Sequence, residues 1–278
     1  MTTACRFASF EDWAALQRFY AEVYRDGHPL RNAEFWRWQY GNAEYGQAAI
    51  VLDGERIVGH LGAALSGGFS WIINCYLFEA YRGQGWLGKL YALTATLAPN
   101  AATNINRAGM DMYRKLGFTR YADLQRYTAV RPGIDPAQAV GEARISRSGQ
   151  PSGHHYWQQP GILGTTLGDG TTAVVQAERG GLRLVHIADP ARALDECWQA
   201  GARWADFITS WSDPLCRDLD ARHGWELGDR IPWRLDPIVP GSRSELTVTS
   251  ETPLPARLII DRTFSDHGRV GSLPASPA

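Results

Sequence analysis

Residues 71–79, WIINCYLFE, form an apolar run of strand length, and YRGQGWLGKLY follows with only Ala80 between. A run this short, bounded by turn residues, fits a buried central strand. The glycines at 83, 85 and 88 then open a helix that runs to about Leu97. A buried strand leading through glycines into a helix is suited to holding phosphates. Glycines let several N–H groups point at one spot, and the helix amino end adds partial positive charge. Arg82 can complement them. The plain alternative is a tight strand-to-helix turn with no ligand. The order of glycines does not meet the dinucleotide fingerprint, and the Gly-Lys-Ser/Thr of a P-loop is missing.

Around this unit the first 130 residues read as helices, hairpin, strand, helix, short helix and strand. Phe10, Trp13, Leu16, Phe19, Tyr20 and Val23 recur at helical spacing over 8–24, and His28-Pro29 ends that helix. A second helix carries Phe35, Trp36 and Trp38, and Asp53-Gly54 marks a hairpin within 47–66. TNIN (103–106) is a short strand or loop, GMDMYRKL (109–116) a helix closed by Gly117, and YADLQRYTAV (121–130) a final strand.

From 131 to 153 the composition shifts to Pro, Gly, Ser and charge, which reads as a linker, and beyond it the order recurs. A hairpin-like stretch (171–189) precedes a helix (190–200), a strand (204–210) and DPLCRDLDARHGW, which ends Gly224-Trp225 as GMDMYRKLGF ends Gly117-Phe118. A period of about 100 residues means a duplicated domain rather than a solenoid. Where the first copy has its glycine turn, the second has HIADPARALD, without glycine and with Asp189 and Asp195 to repel a pyrophosphate.

The chain's 28 basic and 29 acidic residues give no global attraction to nucleic acid or anionic lipid. No apolar stretch approaches a membrane span, and Arg6, Glu11 and Asp12 break up any signal-peptide core. Four scattered cysteines, without C-x-x-C or metal-ligand spacing, read as thiols of a reducing compartment; no metal, no membrane and a cytoplasmic location are expected. His154-His155 fits a loop or interface better than a metal site.

The segment N-R-A-G-M-D-M-Y-R-K-L-G-F (106–118) follows the glycine turn by about two dozen residues. Together the two resemble the GNAT superfamily of acyl-CoA-dependent N-acyltransferases. That family reads Arg/Gln-x-x-Gly-x-Gly/Ala after its fourth strand, matched here by Arg82 and Gly85, while Leu87 departs and Gly88 comes one place later. Its second motif, N-x-x-A-x-x-x-Y-x-K-x-G-F, is matched by Asn106, Tyr113, Lys115, Gly117 and Phe118, with Gly109 for alanine. The hairpin E-R-I-V-G-H-L-G is also similar.

The resemblance implies that the amides of Gly83, Gln84, Gly85, Trp86, Leu87 and Gly88, with Arg82, bind the pyrophosphate of coenzyme A. It implies pantetheine along Tyr76, Leu77 and Phe78, with Asn106 as a polar anchor. Tyr113 would be the general acid, since a phenol of pKa near ~10 can protonate the leaving thiolate; a ring packed in the core is the alternative. The base is unassigned, Glu79, Asp266 and His267 being no more than available. The aromatic segment FWRWQYGN (35–42) resembles one in GNAT proteins of polysaccharide and amino-sugar clusters. Trp36, Trp38 and Tyr40 could stack on a sugar or nucleobase, although their spacing fits core packing equally well.

The expected protein is α/β, two GNAT-like domains that are each a mixed twisted sheet flanked by helices. The expected bounds are 1–132 for a catalytic domain, 133–155 for a linker, 156–267 for a degenerate copy walling the acceptor cleft and 268–278 for a tail. The expected reaction is acyl transfer from acetyl-CoA or a longer acyl-CoA, as cosubstrate, to a primary amine. A free or nucleotide-linked amino sugar is favoured as the small-molecule acceptor, and a homodimer is allowed. The alternatives are another small amine or peptide terminus as acceptor, or a non-catalytic acyl-CoA-binding protein.

Overall fold

The computed structural model describes residues 3–104, 107–134, 155–160, 163–168, 171–175, 181–219, 224–227, 247–260 and 264. The chain opens with β1 (Thr3–Phe7), which no sequence signal announced and which pairs with the strand before the Asp53-Gly54 turn. The Asp12 carboxylate accepts the Ser9 N–H at 2.9 Å and so caps the turn that starts α1 (Trp13–Val23). Leu16, Phe19 and Tyr20 form the buried face of α1, as the periodicity predicts. In α2 (Ala33–Tyr40), Asn32 Oδ1 accepts the N–H groups of Glu34 and Phe35. Then β2 (Gly46–Asp53), β3 (Arg56–Ser66) and β4 (Phe69–Leu77) run as an antiparallel meander. The crossover α3 (Trp86–Ala95) returns to β5 (Asn100–Asn104), parallel to β4, and α4 (Arg107–Lys115) leads to β6 (Thr119–Asp123).

YADLQRYTAV is not one strand. It divides at Leu124, and β7 (Gln125–Val130) leaves for a different sheet. The place beside β5 is filled from the far end of the chain by β13 (Thr247–Ser250), which is antiparallel to both β5 and β6. The first sheet therefore runs β1-β2-β3-β4-β5-β13-β6.

In the second sheet β8 (Leu163–Leu167), β9 (Thr171–Val175) and β10 (Gly181–His186) form the meander. The helix α5 (Pro190–Gln199) crosses to β11 (Trp204–Thr209), parallel to β10. Here β7 lies between β11 and the short β12 (Glu226–Leu227). The two sheets thus repeat one scheme of meander, helical crossover to a parallel strand, inserted antiparallel strand and outer strand. In each, the inserted strand comes from the other half. The expected bounds at 132 and 156 are crossed twice by these pairings, by β7 from before them and β13 from after.

Packing follows the exchange. One apolar cluster joins Leu16, Phe19 and Trp36 under the first sheet to Leu124, Ile208, Val248, Ile260 and Phe264, so both halves share a core. A second, with Tyr91, Tyr113 and Phe118, fills the opposite face of the first sheet under α3 and α4, and a third packs α5 on the second sheet. At the end of β13, Glu251 accepts from Asn100 N at 2.9 Å and from Asn100 Nδ2 at 3.0 Å, while Thr94 donates to Asn100 Oδ1 at 2.8 Å. On β7, Arg126 donates to Asp206 of β11 at 2.9 and 3.2 Å with both side chains buried. An exposed ion pair contributes ~0–1 kcal/mol, whereas removing one partner of a buried pair costs roughly 3–5 kcal/mol. The seam at β7 is therefore expensive to open.

A chain ending near Gly133 lacks β13 and leaves β7 with no partner strand. It is expected to show no cooperative unfolding by circular dichroism, and co-expression with 134–278 should restore a single transition. A monomeric truncated chain that unfolds cooperatively would show that the exchange is dispensable.

Candidate functional site

The parallel strands β4 and β5 pair only at Ser70–Asn100, Trp71–Ala101 and Ile72–Ala102, although β4 continues to Leu77. Past Ile72 they separate, and the carboxyl ends of parallel strands are where α/β sheets open a ligand crevice. The departure coincides with a bulge. Between His60–Tyr76 and Gly62–Ile73 the β4 side has one residue too many, and Asn74 within it has φ 53°. Among the described residues it is the one non-glycine with positive φ. His60, fully buried on β3, has its Nδ1 2.9 Å from the Asn74 carbonyl oxygen. A carbonyl only accepts, so Nδ1 carries the proton and donates. Burial lowers the imidazole pKa to about 4, leaving it neutral at physiological pH.

Nε2 of His60 has no hydrogen-bond partner among the described residues, and the rings of Tyr20, Tyr40 and Phe19 surround it. A buried unpaired acceptor costs about 1–3 kcal/mol, against about 0.5–1.5 kcal/mol gained from one neutral hydrogen bond. A phenylalanine would therefore serve core stability at least as well.

Beyond β4 the chain makes a short helical turn, Glu79–Tyr81, held by the Tyr81 hydroxyl donating to Asp53 at 2.7 Å. Glu79 is exposed. Arg82 donates through Nε to Leu77 O at 3.0 Å, tying its guanidinium to the end of β4. Gly83 and Gly85 have φ 74° and 81°, the left-handed conformation that glycine takes without cost, and Gly85 is the N-cap of α3. A Cβ placed at 83, 85 or 88 would meet nothing within 4 Å, so this face of the turn is open. No side chain caps α3. The first N–H groups of a helix lack intrahelical acceptors, so those after Gly85 are available to an anion. Gln84 donates to Ala80 O at 2.7 Å, and the Lys89 ammonium lies 3.8 Å over the Trp86 ring.

The corresponding turn of the second sheet, between β10 and α5, is built the opposite way. Asp189 caps α5, accepting from Ala191 N at 2.9 Å and Arg192 N at 3.4 Å, and Pro190 stands at the first helical position. A carboxylate of the protein already occupies the anion position there.

Tyr113 on α4 is 5% exposed, its ring 6.0 Å from Tyr91 of α3 and 5.0 Å from Phe118. The Tyr91 phenol is pushed well above its ordinary pKa, first by burial and then by its neighbours Tyr113 and Cys75. Tyr91 thus brings together Tyr113 and Cys75, which is exposed on the bulge. Tyr76 and Phe78 turn their rings toward Phe19 of α1, at 6.1 and 5.5 Å, and Leu77 is buried. Asn106, Asp266 and His267 lie outside the described residues.

The aromatic segment is packed. Trp36, 1% exposed, donates through Nε1 to the Tyr20 hydroxyl at 3.1 Å. Tyr40 is buried with its hydroxyl over Gly62, where any Cβ would collide with it. Trp38 stacks on His155 at 5.1 Å, and its indole N–H donates to the His155 carbonyl at 2.8 Å; Tyr45 also stacks on His155, at 4.0 Å. These three aromatic residues fill the core and anchor the returning chain rather than presenting open faces.

His60, Asn74, Cys75 and Tyr91 escaped the reading of motifs. One signal was present: an asparagine inside WIINCYLF, where it weakens a strand but tolerates positive φ.

The fold is an α/β domain with an open glycine turn, followed by a second copy of its scheme. Residues 10–118 match the model of the Acetyltransferase (GNAT) family, so the first half carries that family's domain and the chain is a tandem of the fold. No curated protein matches the sequence. Among solved structures, a candidate acetyltransferase from Pyrococcus horikoshii is similar in fold with TM-score 0.51 and 15% identity, over 84% of this chain and 92% of that one. A conserved Enterococcus faecalis V583 protein of unknown function, given as a candidate N-acyltransferase, aligns with TM-score 0.51 and 11% identity, over 82% of this chain and 70% of the other. No helix among the described residues is long and apolar enough to cross a membrane.

Two alanine substitutions separate the roles of the glycines. Gly85→Ala is expected to destabilise the fold by about 1–2 kcal/mol, because it forces a side chain into the left-handed region although space is free. Gly88→Ala, inside α3, is expected to be neutral or to stabilise by up to about 1 kcal/mol. Urea unfolding midpoints of the two variants check this; equal shifts would contradict it.

Proposed function

We propose that this protein transfers an acyl group from acyl-CoA to a primary amine, with one CoA bound by the first half of the chain. The observation that carries the reading is the contrast between topologically equivalent turns. One is glycine-built, uncapped and open, and the other is closed by its own aspartate. A pyrophosphate fits the first, with N–H groups of residues 83–88 as donors and Arg82 beside them, and is excluded from the second.

From that anchor a pantetheine arm lies along Tyr76, Leu77 and Phe78, where β4 has left β5, and the thioester comes to the bulge. The amine attacks the thioester carbonyl carbon, and the C–S bond breaks as the intermediate collapses. Tyr113 gives its proton to the departing thiolate, the attacking nitrogen loses one to solvent, and solvent returns one to the Tyr113 phenolate. Tyr91, beside both Tyr113 and Cys75, supports the placing of this hydroxyl near the bulge. The amino-sugar acceptor drew on stacking by Trp36, Trp38 and Tyr40; with those faces packed, the acceptor is put as a primary amine. An amino sugar, a small amine and a peptide terminus are then compared directly by assay. None of the four cysteines forms a disulfide among the described residues, which suits a reducing cytoplasm.

Titration calorimetry with acetyl-CoA should give one site per chain, and Gly85→Asp should remove it. Two sites would contradict the reading of the second turn.

Tyr113→Phe should leave CoA affinity within about threefold while lowering acetyl transfer by ~10²–10⁴-fold, measured as CoA release with an amine panel. Unchanged turnover would mean that water or another group protonates the thiolate. CoA binding without transfer by the unmodified protein to any amine would favour a non-catalytic binding protein.

A further inference from the structure

We propose that His60 is a positioning residue of the acyl-transfer site, holding the Asn74 bulge of β4 in its left-handed conformation through Nδ1–H, so that β4 stays parted from β5 where the thioester must lie. The inference rests on the functional reading above for what the bulge positions. The holding itself rests on three observations. His60 Nδ1 is 2.9 Å from Asn74 O, and the ring is fully buried. The bulge falls opposite His60 to Gly62, immediately beyond Ile72, the last residue of β4 that pairs with β5. Asn74 takes φ 53°, the one positive φ at a non-glycine among the described residues, so something must favour that state over a regular strand.

The chemistry assigns each ring nitrogen a task. Nδ1 donates to the carbonyl of the residue whose backbone is turned over. The neutral state of the ring leaves Nε2 an acceptor facing aromatic rings, which contributes nothing to the bulge. A regular β4 would remove the extra residue, shift one side of the strand by one position and so exchange the faces of Cys75 and Tyr76. Tyr76 would leave its contact with Phe19, and Cys75 would leave the neighbourhood of Tyr91.

Three substitutions at this position separate donation from packing. His60→Phe keeps a ring and removes the donor. His60→Asn puts an amide N–H near the position of Nδ1, and His60→Gln puts it near Nε2. In acetyl transfer to a reactive amine, the Phe and Gln variants should lose about 10²-fold in kcat, the order expected for a reacting group misplaced by about 1 Å, with KM for acetyl-CoA within about threefold. The Asn variant should stay within about fivefold of the parent. In an Asn74→Gly background the loss from His60→Gln should shrink below about threefold, because glycine takes positive φ unaided.

A second readout does not depend on catalysis. The rate of Cys75 alkylation by iodoacetamide, followed by peptide mass mapping, should change in the Phe and Gln variants and not in Asn. Should the Phe variant fail to fold, the Asn and Gln pair decides. Equal losses in Asn and Gln, a change in KM alone, or parental kcat and Cys75 reactivity in Gln would each overturn the proposal. If the parent protein transfers to no amine, the proposed function falls, and the alkylation series still decides whether His60 holds the bulge.

Discussion

Backbone hydrogen bonds between β13 and its neighbours β5 and β6, matched by those between β7 and its neighbours β11 and β12, are the constraint on which the rest of this structure depends. Each sheet lacks a strand until the other half supplies it. The exchange explains why one apolar cluster runs from α1 through β13 to Ile208 of the second sheet, and why buried polar groups gather at the two seams. Asn100 with Glu251, and Arg126 with Asp206, would be costly in isolation, yet each lies where a strand from a distant part of the chain must be held in one register. The crevice inherits this order: β5 is fixed by β13 on one side, so β4 can part from it on the other.

Within that frame the two halves show what a small change at a helix start does. A helix amino end presents donors that something must satisfy. In α5 the chain supplies its own carboxylate from Asp189, and the end becomes structural. In α3 the N-cap is Gly85, so no side chain caps the end and the donors are left open. Two equivalent pieces of backbone thus differ in whether the anion is built in or must arrive.

Much of this was legible in the sequence because it is local. The strand at 71–77, the turn at 83–88, the helices α1, α3 and α5 and the recurrence of their order all follow from periodicity, glycines and caps within a dozen residues. The strand exchange was not legible, since YADLQRYTAV has the same alternation whether it pairs in one sheet or divides between two. Nothing near Leu124 records that the place beside β5 is taken from residues 247–250. The aromatic segment 35–42 was ambiguous for a related reason: a tryptophan on a helix face is equally suited to core and cleft, and only the partners Tyr20, Gly62 and His155 decide. Asn74 and His60 lie between these cases. The asparagine was visible as an odd residue in a strand, but its link to a histidine fourteen positions earlier exists only in the pairing of β3 with β4.

The pairing of β13 with β5 joins residues such as Ala102 and Thr249, 147 positions apart in the chain. Contacts of such range close late, because loop entropy must be overcome before they contribute. During synthesis the first sheet must wait for residues 247–250 to leave the ribosome, with the edges of β5 and β6 open to any other strand. Formation of the first sheet is therefore tied to synthesis of the second half, and a prematurely terminated copy meets the cell as an aggregation-prone intermediate rather than as a folded domain.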